Sequence, residues 1–363
     1  MIKKCFLLFL ITLVLVSCDN TEYTEASKSD NYLYNIYDSV LYKYSIKTGY
    51  GIPVCPDPVC KHNSDSCAFW GLTSNVMYYD NAKYFTDDKT IYKYNSYTGQ
   101  LDSIYKSETG TLYYPYIASD YMFFNVINYK VDNDEVNTQI DIYRISLVDY
   151  SVLKLNKTPL YSFYMVEKYE KNTLYWYGIE SFETFTTDIS FENRQAYSGI
   201  DYGQHSGEYS YRFTIYSSSP MALTMIGKSS EQDYEFIVAE NVVSAKALEN
   251  NIIVVFNSAE PKFIGKYIKE DGSEGEIYDY QDNSIYIVNR DGSNKKLLCT
   301  IPETHRLYNL ANSGANLISY PYIGIQVQNY IVDDNGYVLG KELSRDIVIV
   351  NVETGEYKIT SSK

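Results

Sequence analysis

Histidine, tryptophan and basic charge are scarce in this chain of 363 residues. There are 3 His, 2 Trp, and 31 Lys and Arg against 46 Asp and Glu, a formal charge of −15. No basic patch offsets that acidity, so the surface repels nucleic acid and a nucleic-acid partner is excluded. A Gly-x-Ser-x-Gly elbow, a His-Glu-x-x-His pair and a phosphate-cradling Gly-rich loop are all missing. Serine hydrolases of the elbow type, zincin peptidases and P-loop enzymes are excluded with them. Helix-length amphipathic segments with caps are also missing, which excludes a parallel α/β fold. His205 and His305 stand outside any motif, and no catalytic residue is assigned.

What is abundant is tyrosine, 42 residues against 14 Phe. Its ring packs in a half-buried strand while its hydroxyl reaches water. Most of these tyrosines fall in strand-like runs. The clearest is a short repeated unit at Ile91-Tyr92-Lys93-Tyr94-Asn95-Ser96-Tyr97-Thr98-Gly99, a strand running into a tight Gly turn. Copies stand at Leu41–Tyr44 with Gly49, Ile142–Ile145, Ile285–Val288 with Gly292, and Ile347–Val350 with Gly355, with a weaker one at Phe213–Tyr216. Their spacings are 50, 51, 73, 70 and 62 residues. A propeller blade takes about 40–50 residues, so the longer spacings imply insertions.

A second strand precedes most copies, after an Asn or Asp turn: Lys83–Phe85, Tyr121–Phe124, Leu174–Tyr177 and Ile252–Val255. With blade strands lettered A to D, these are B, the Ile-Tyr strands are C, and D follows the Gly turn. Six C–D hairpins predict an all-β, six-bladed β-propeller over 31–363. Seven blades is the alternative, because 178–250 has room for another hairpin.

The first seventeen residues form a lipoprotein signal peptide: basic Lys3 and Lys4, an apolar run over Cys5–Val16, then Leu15-Val16-Ser17-Cys18, which resembles the bacterial lipobox. Cys18 is the expected lipid attachment, carrying palmitate-type acyl chains. Two or more chains are needed for a stable membrane anchor. Residues 18–30 read as the lipidated Cys and a flexible tether. Loss of the leader, with Lys3 and Lys4, deepens the charge from −15 to −17. The expected location is the extracytoplasmic face of a bacterial cell membrane.

In a propeller, B–C and D–A connections share one face. The long B–C connections, roughly 125–139, 178–210 and 257–282, are polar and acidic. Insertions on one face of a repeat scaffold build binding surfaces. Cys55-Pro-Asp-Pro-Val-Cys60-Lys-His62-Asn-Ser-Asp-Ser-Cys67 is a D–A connection and falls on the same face. Cys55, Cys60, His62 and Cys67 form either a Cys3His zinc knot or a disulfide-stapled loop, with free thiols as the third state. Cys299 is the further disulfide partner if geometry permits.

The Cys55–Cys67 segment, following the Thr48-Gly49 hairpin and the lipobox, resembles a group of six-bladed, TolB-like or quinoprotein-like propeller lipoproteins of Gram-positive anaerobes. The resemblance implies fold and surface location and brings no activity. The function expected is a lipid-anchored, cell-surface binding or scaffold propeller whose ligand is a peptide, glycan or envelope protein. The alternative is an extracellular glycosidase or lyase working through paired carboxylates.

Overall fold

Most Ile-Tyr strands end in a turn built by their own last side chain. The computed structural model describes residues 31–64, 66–132, 135–158, 160, 162–170, 172–179, 181, 183–196, 204–206, 209–218, 221–229, 234–248, 250–307 and 318–360. In it the Asn95 side-chain oxygen accepts the N–H groups of Tyr97 and Thr98 at 2.9 and 3.2 Å, and Gly99 N–H donates to Asn95 O at 2.8 Å. Asn351 repeats these bonds with Glu353, Thr354 and Gly355. Ser146 does so with Val148 and Asp149, and there Tyr150 takes the left-handed position (φ +59°) that glycine holds elsewhere. Such local bonds fix the hairpin without help from the rest of the fold.

These hairpins build six antiparallel sheets among the described residues, which contain no helix. The first comprises Tyr32–Tyr37, Val40–Ser45 and Gly51–Pro53. The second is Met77–Tyr79, Ala82–Thr86, Thr90–Asn95 and Gln100–Lys106. Thr111–Ala118, Tyr121–Asp132, Glu135–Ser146 and Val152–Lys154 make the third. The fourth is Tyr164–Glu170, Thr173–Gly178, Thr184–Asp188 and Gln195–Ala196. The fifth has seven strands from Gln204–Ser206 to Lys296–Thr300. The sixth is built on Tyr322–Val332 and Val338–Asn351, edged by Arg306–Leu307 and Tyr357–Ile359. The expected strand letters hold in the second and third sheets, including the turns at Asn81 and Asp120. This all-β, repeated-sheet architecture is that of a β-propeller.

One strand assignment is corrected. Phe213–Tyr216 lies in Tyr209–Ser218 of the fifth sheet and is not the C strand beside Leu174–Tyr177. That position belongs to Thr184–Asp188, where Phe185 pairs with Trp176 and only Phe185 and Thr187 are buried. A strand with one large apolar residue carries no Ile-Tyr signature. The fifth sheet has a register shift between Val242 and Ser244. Up to Val242 the strand Tyr234–Ala247 pairs with Met221–Ser229, and from Val242 on with Asn251–Ile268. The stretch 178–250 thus holds strands beyond those the repeat marks.

Packing links the first four sheets in order, and the fifth to the sixth. Tyr34 and Leu41 meet Phe85 and Tyr94; Tyr84 and Ile91 meet Met122 and Phe124; Phe123 and Ile142 meet Trp176 and Phe185. Ile253, Val255 and Ile285 meet Ile325 and Val348. The last sheet returns to the first: Ile347 and Ile349 pack with Leu33, Tyr42 and Tyr44. The Tyr44 hydroxyl donates to Arg345 O at 3.0 Å, and Lys358 Nζ to Ile46 O at 3.1 Å. The ring packs the last sheet against the first and leaves each blade only short edges.

Of the expected long B–C connections, 125–139 and 257–282 are extensions of paired strands, whereas 178–210 is not one connection and holds the strands Thr184–Asp188 and Gln195–Ala196. Tyr121–Asp132 and Glu135–Ser146 stay in register along their whole length. Asn251–Ile268 with Glu274–Asn289, and Tyr322–Val332 with Val338–Asn351, extend likewise. The last two hairpins touch, Lys266 N–H donating to Gly336 O at 2.9 Å. The signal peptide, Cys18 and the 18–30 tether lie outside the described residues, as do Asn133, Asp134, Glu180, Glu208 and the side chain of His205.

Candidate functional site: a thiol and imidazole cluster beside an aromatic cavity

The segment from Val54 to Val76 joins the first sheet to the second. Its two halves differ in what holds them. From Phe69 onward it is pinned by backbone bonds and by apolar side chains: Leu41 N–H donates to Phe69 O and Leu72 N–H to Ser39 O, while Phe69, Leu72 and Val76 are buried. From Pro56 to Ser66 the side chains are mostly exposed, Val59 at 82%. There the local bonds are short-range: Val59 N–H to Asp57 Oδ1 at 2.9 Å and Cys60 N–H to Asp57 O at 3.2 Å.

Across this second half the four expected ligands converge. One Sγ or ring nitrogen from each of Cys55, Cys60, His62 and Cys67 lies within 4.8 Å of all the others. His62 takes a left-handed backbone (φ +52°), and its N–H donates to Cys60 Sγ at 3.4 Å. Its Nδ1 stands 3.4 Å from Cys67 Sγ. The N–H of Phe69 likewise donates to Cys67. Such amide–sulfur bonds stabilise thiolates and orient them toward a common point. All three thiols are unbridged. Without a cation, burial and the neighbouring Cys60 and Cys55 thiols push Cys67 up to about 12, against the pull of the Phe69 N–H. A divalent cation would invert that balance. Three thiolates and an imidazole would close a tetrahedral site with no open position, which suits holding a loop and leaves no place for a substrate.

Cys299 is not brought to this cluster. It sits on Lys296–Thr300, buried among Val255, Ile285 and Leu307 between the fifth and sixth sheets, whereas Cys60 and Cys67 pack between the first and second. Burial pushes its thiol up to about 11. It is a core residue.

The same segment walls a cavity of about 410 Å³ that sequence reasoning missed. Thr73, Ser74, Asn75 and Met77 form one side, Thr86 and Asp88 of the second sheet's B–C turn another, and 112–115 the third. The first strand of the third sheet touches the first strands of the second and fourth, and this cavity opens beside its contact with the second. Thr73 N–H donates to Thr86 O, and the Ser74 hydroxyl oxygen accepts Thr86 N–H at 2.8 Å, which ties the Cys segment to the cavity wall. Pairing between Thr111–Ala118 and its neighbour skips from Tyr113 to Tyr116. Tyr114 in that bulge has φ +51°, a left-handed backbone costly for a bulky side chain. Tyr113 and Tyr114 are 37% and 41% exposed, their rings 6.0 Å apart, and Phe163 buttresses both at 5.7 and 5.8 Å. The signal was Pro115: a proline inside an aromatic strand pattern marks a bulge, because it cannot donate to the ladder.

No family model matches the chain, and no curated protein matches it. Among solved structures it is similar to an oligogalacturonate lyase from Vibrio parahaemolyticus, at 9% identity and TM-score 0.46, covering 86% of each chain. It is also similar to YjhT (10%, TM-score 0.42, 80% of this chain and 97% of that one) and to a chain of the nidogen/laminin complex (10%, 0.35, 77% and 92%). At these values the similarities carry no argument about what this chain does.

Proposed function

We propose that this protein is a lipid-anchored, extracytoplasmic β-propeller that binds an extracellular ligand, a peptide, glycan or envelope protein, on the face bearing its B–C turns. One observation carries the reading. The Cys segment contacts the B–C turns of both the first sheet (Ser39) and the second (Thr86 and Asp87), and the cavity opens between that segment, the second of these turns and the first strand of the third sheet. Long hairpins extend the B–C ends of the third, fifth and sixth sheets. The blades hold these parts rigid, and rigid display lowers the entropy lost on binding. Zinc on Cys55, Cys60, His62 and Cys67 staples the exposed half of the loop. Among the described residues lining the cavity Asp88 is the one carboxylate, so they hold no pair for a two-carboxylate glycosidase.

The test has three parts. Metabolic labelling with an acyl analogue should tag the wild type and not Cys18→Ala. Elemental analysis of protein spanning 19–363 should return about one zinc per chain. Arrays of peptides and glycans should give saturable binding that the intact propeller retains and a heat-unfolded sample loses. Absence of binding to either array would overturn the functional reading.

A further inference from the structure

Resting on that reading, we propose that the cavity between the second and third sheets is a carbohydrate subsite, selective for neutral or N-acetylated hexose oligosaccharides over uronates. Three features of the cavity carry this.

The first is the aromatic pair. A pyranose ring has an apolar C–H face that stacks on an exposed aromatic ring, and Tyr113 and Tyr114 offer two such rings at 37% and 41% exposure with Phe163 fixing them from behind. The backbone bends into an unfavourable left-handed conformation at Tyr114 to present them. Glycine would adopt that conformation without cost, so Tyr114 carries a backbone strain that a glycine there would not. The second feature is the polar complement. Asn75 and the exposed Asp88 line the cavity with the rings, supplying an amide and a carboxylate for sugar hydroxyls. A carboxylate accepts two hydroxyl hydrogen bonds at once, the arrangement that vicinal sugar hydroxyls require.

The third feature decides the class of sugar. Among the described residues lining the cavity there is no Lys or Arg, and Asp88 gives it negative charge. The whole chain carries −15. An oligouronate would bring carboxylates to an acidic site without a partner, an electrostatic penalty. Neutral and N-acetylated hexoses meet no such penalty. The volume, about 410 Å³, lies in the lower part of the ~300–1,000 Å³ range of small-ligand clefts. That suits the end of a short oligosaccharide.

The experiment is calorimetric titration of residues 19–363, zinc-loaded, with cellotetraose, chitotetraose and trigalacturonate. At least one of the two neutral tetrasaccharides should bind, and trigalacturonate should bind at least tenfold more weakly. Tyr114→Ala and Asp88→Asn should each lower the neutral-sugar affinity, Tyr114→Ala by tenfold or more. Tyr114→Gly keeps the backbone conformation without the ring. It should lose binding to the same extent while its thermal midpoint stays level or rises, which separates loss of a contact from loss of folding. Failure of both neutral sugars, a preference for trigalacturonate, or wild-type affinity in Tyr114→Gly would overturn the proposal. A displayed peptide library screened in parallel tells the two readings apart. Peptide binding without sugar binding defeats the carbohydrate subsite and leaves the binding propeller standing; no binding of either kind defeats both.

Discussion

Stripping the zinc proposed for Cys55, Cys60, His62 and Cys67 should release half of one loop and leave the propeller intact. Residues 56–66 bury almost no apolar surface, and ordering a residue's backbone costs roughly 1–2 kcal/mol, so holding this segment costs on the order of 10 kcal/mol. A few local hydrogen bonds at about 1 kcal/mol each do not cover that. Structural zinc in thiolate and imidazole sites contributes about 10–16 kcal/mol, the size of term required. Residues 69–76 need no metal. Burying Phe69, Leu72 and Val76 is worth about 1.5–3 kcal/mol each, and strand-like bonds to Ser39 and Leu41 add to it. Chelation under reducing conditions should therefore abolish amide-exchange protection at Cys60 and Cys67, whose N–H groups bond only within the loop. Protection at Leu41 and Leu72 should persist, and the global unfolding midpoint should move little. Trp70, one of two tryptophans and hydrogen-bonded to Cys67 O at 3.1 Å, gives a fluorescence readout of the same event. The reasoning is refuted if verified zinc loss leaves Cys60 and Cys67 fully protected, or if the whole propeller unfolds with the metal.

Further outcomes test other parts of the structure. Trp176→Ala should cost about 3–5 kcal/mol in chemical denaturation, because the indole is 2% exposed, stacks on Phe185 and donates to Thr187 Oγ1 at 2.9 Å. Two glycine substitutions separate backbone strain from collision. Gly99→Ala at φ +73° meets open space and should cost about 1–2 kcal/mol. Gly355→Ala at φ +78° would set a Cβ 2.2 Å from Leu298 O and should cost clearly more by the same assay. The Ser146 hydroxyl first, then the Ser151 hydroxyl and N–H, hold Asp149 down at about 2. Its stabilisation is therefore complete above the usual carboxylate value near 4 and is lost as pH falls from there toward 2. A carboxyl NMR titration should show this, with Ser146→Ala moving the midpoint upward.

The sequence by itself determined the strand–turn unit, the all-β class, and the neighbourhood of Cys55, Cys60, His62 and Cys67. These rest on interactions only a few residues long: an Asn or Ser side chain capping its own turn, and ligands on one short loop. Topology alone also placed that loop on the B–C face, since a chain leaving strand D must cross there to begin strand A. Tertiary packing decided the rest. Thr184–Asp188 became a central strand because Trp176 needed Phe185 across from it, although its own residues carry little strand signature. Cys299 became core because its strand turns that side chain into the gap between two sheets. The cavity draws on residues 73–77, 86–88 and 112–115, three segments whose spacing shows no pattern along the chain. They meet only because adjacent blades bring the edges of their first strands together, and long-range packing leaves no local mark for a sequence to show.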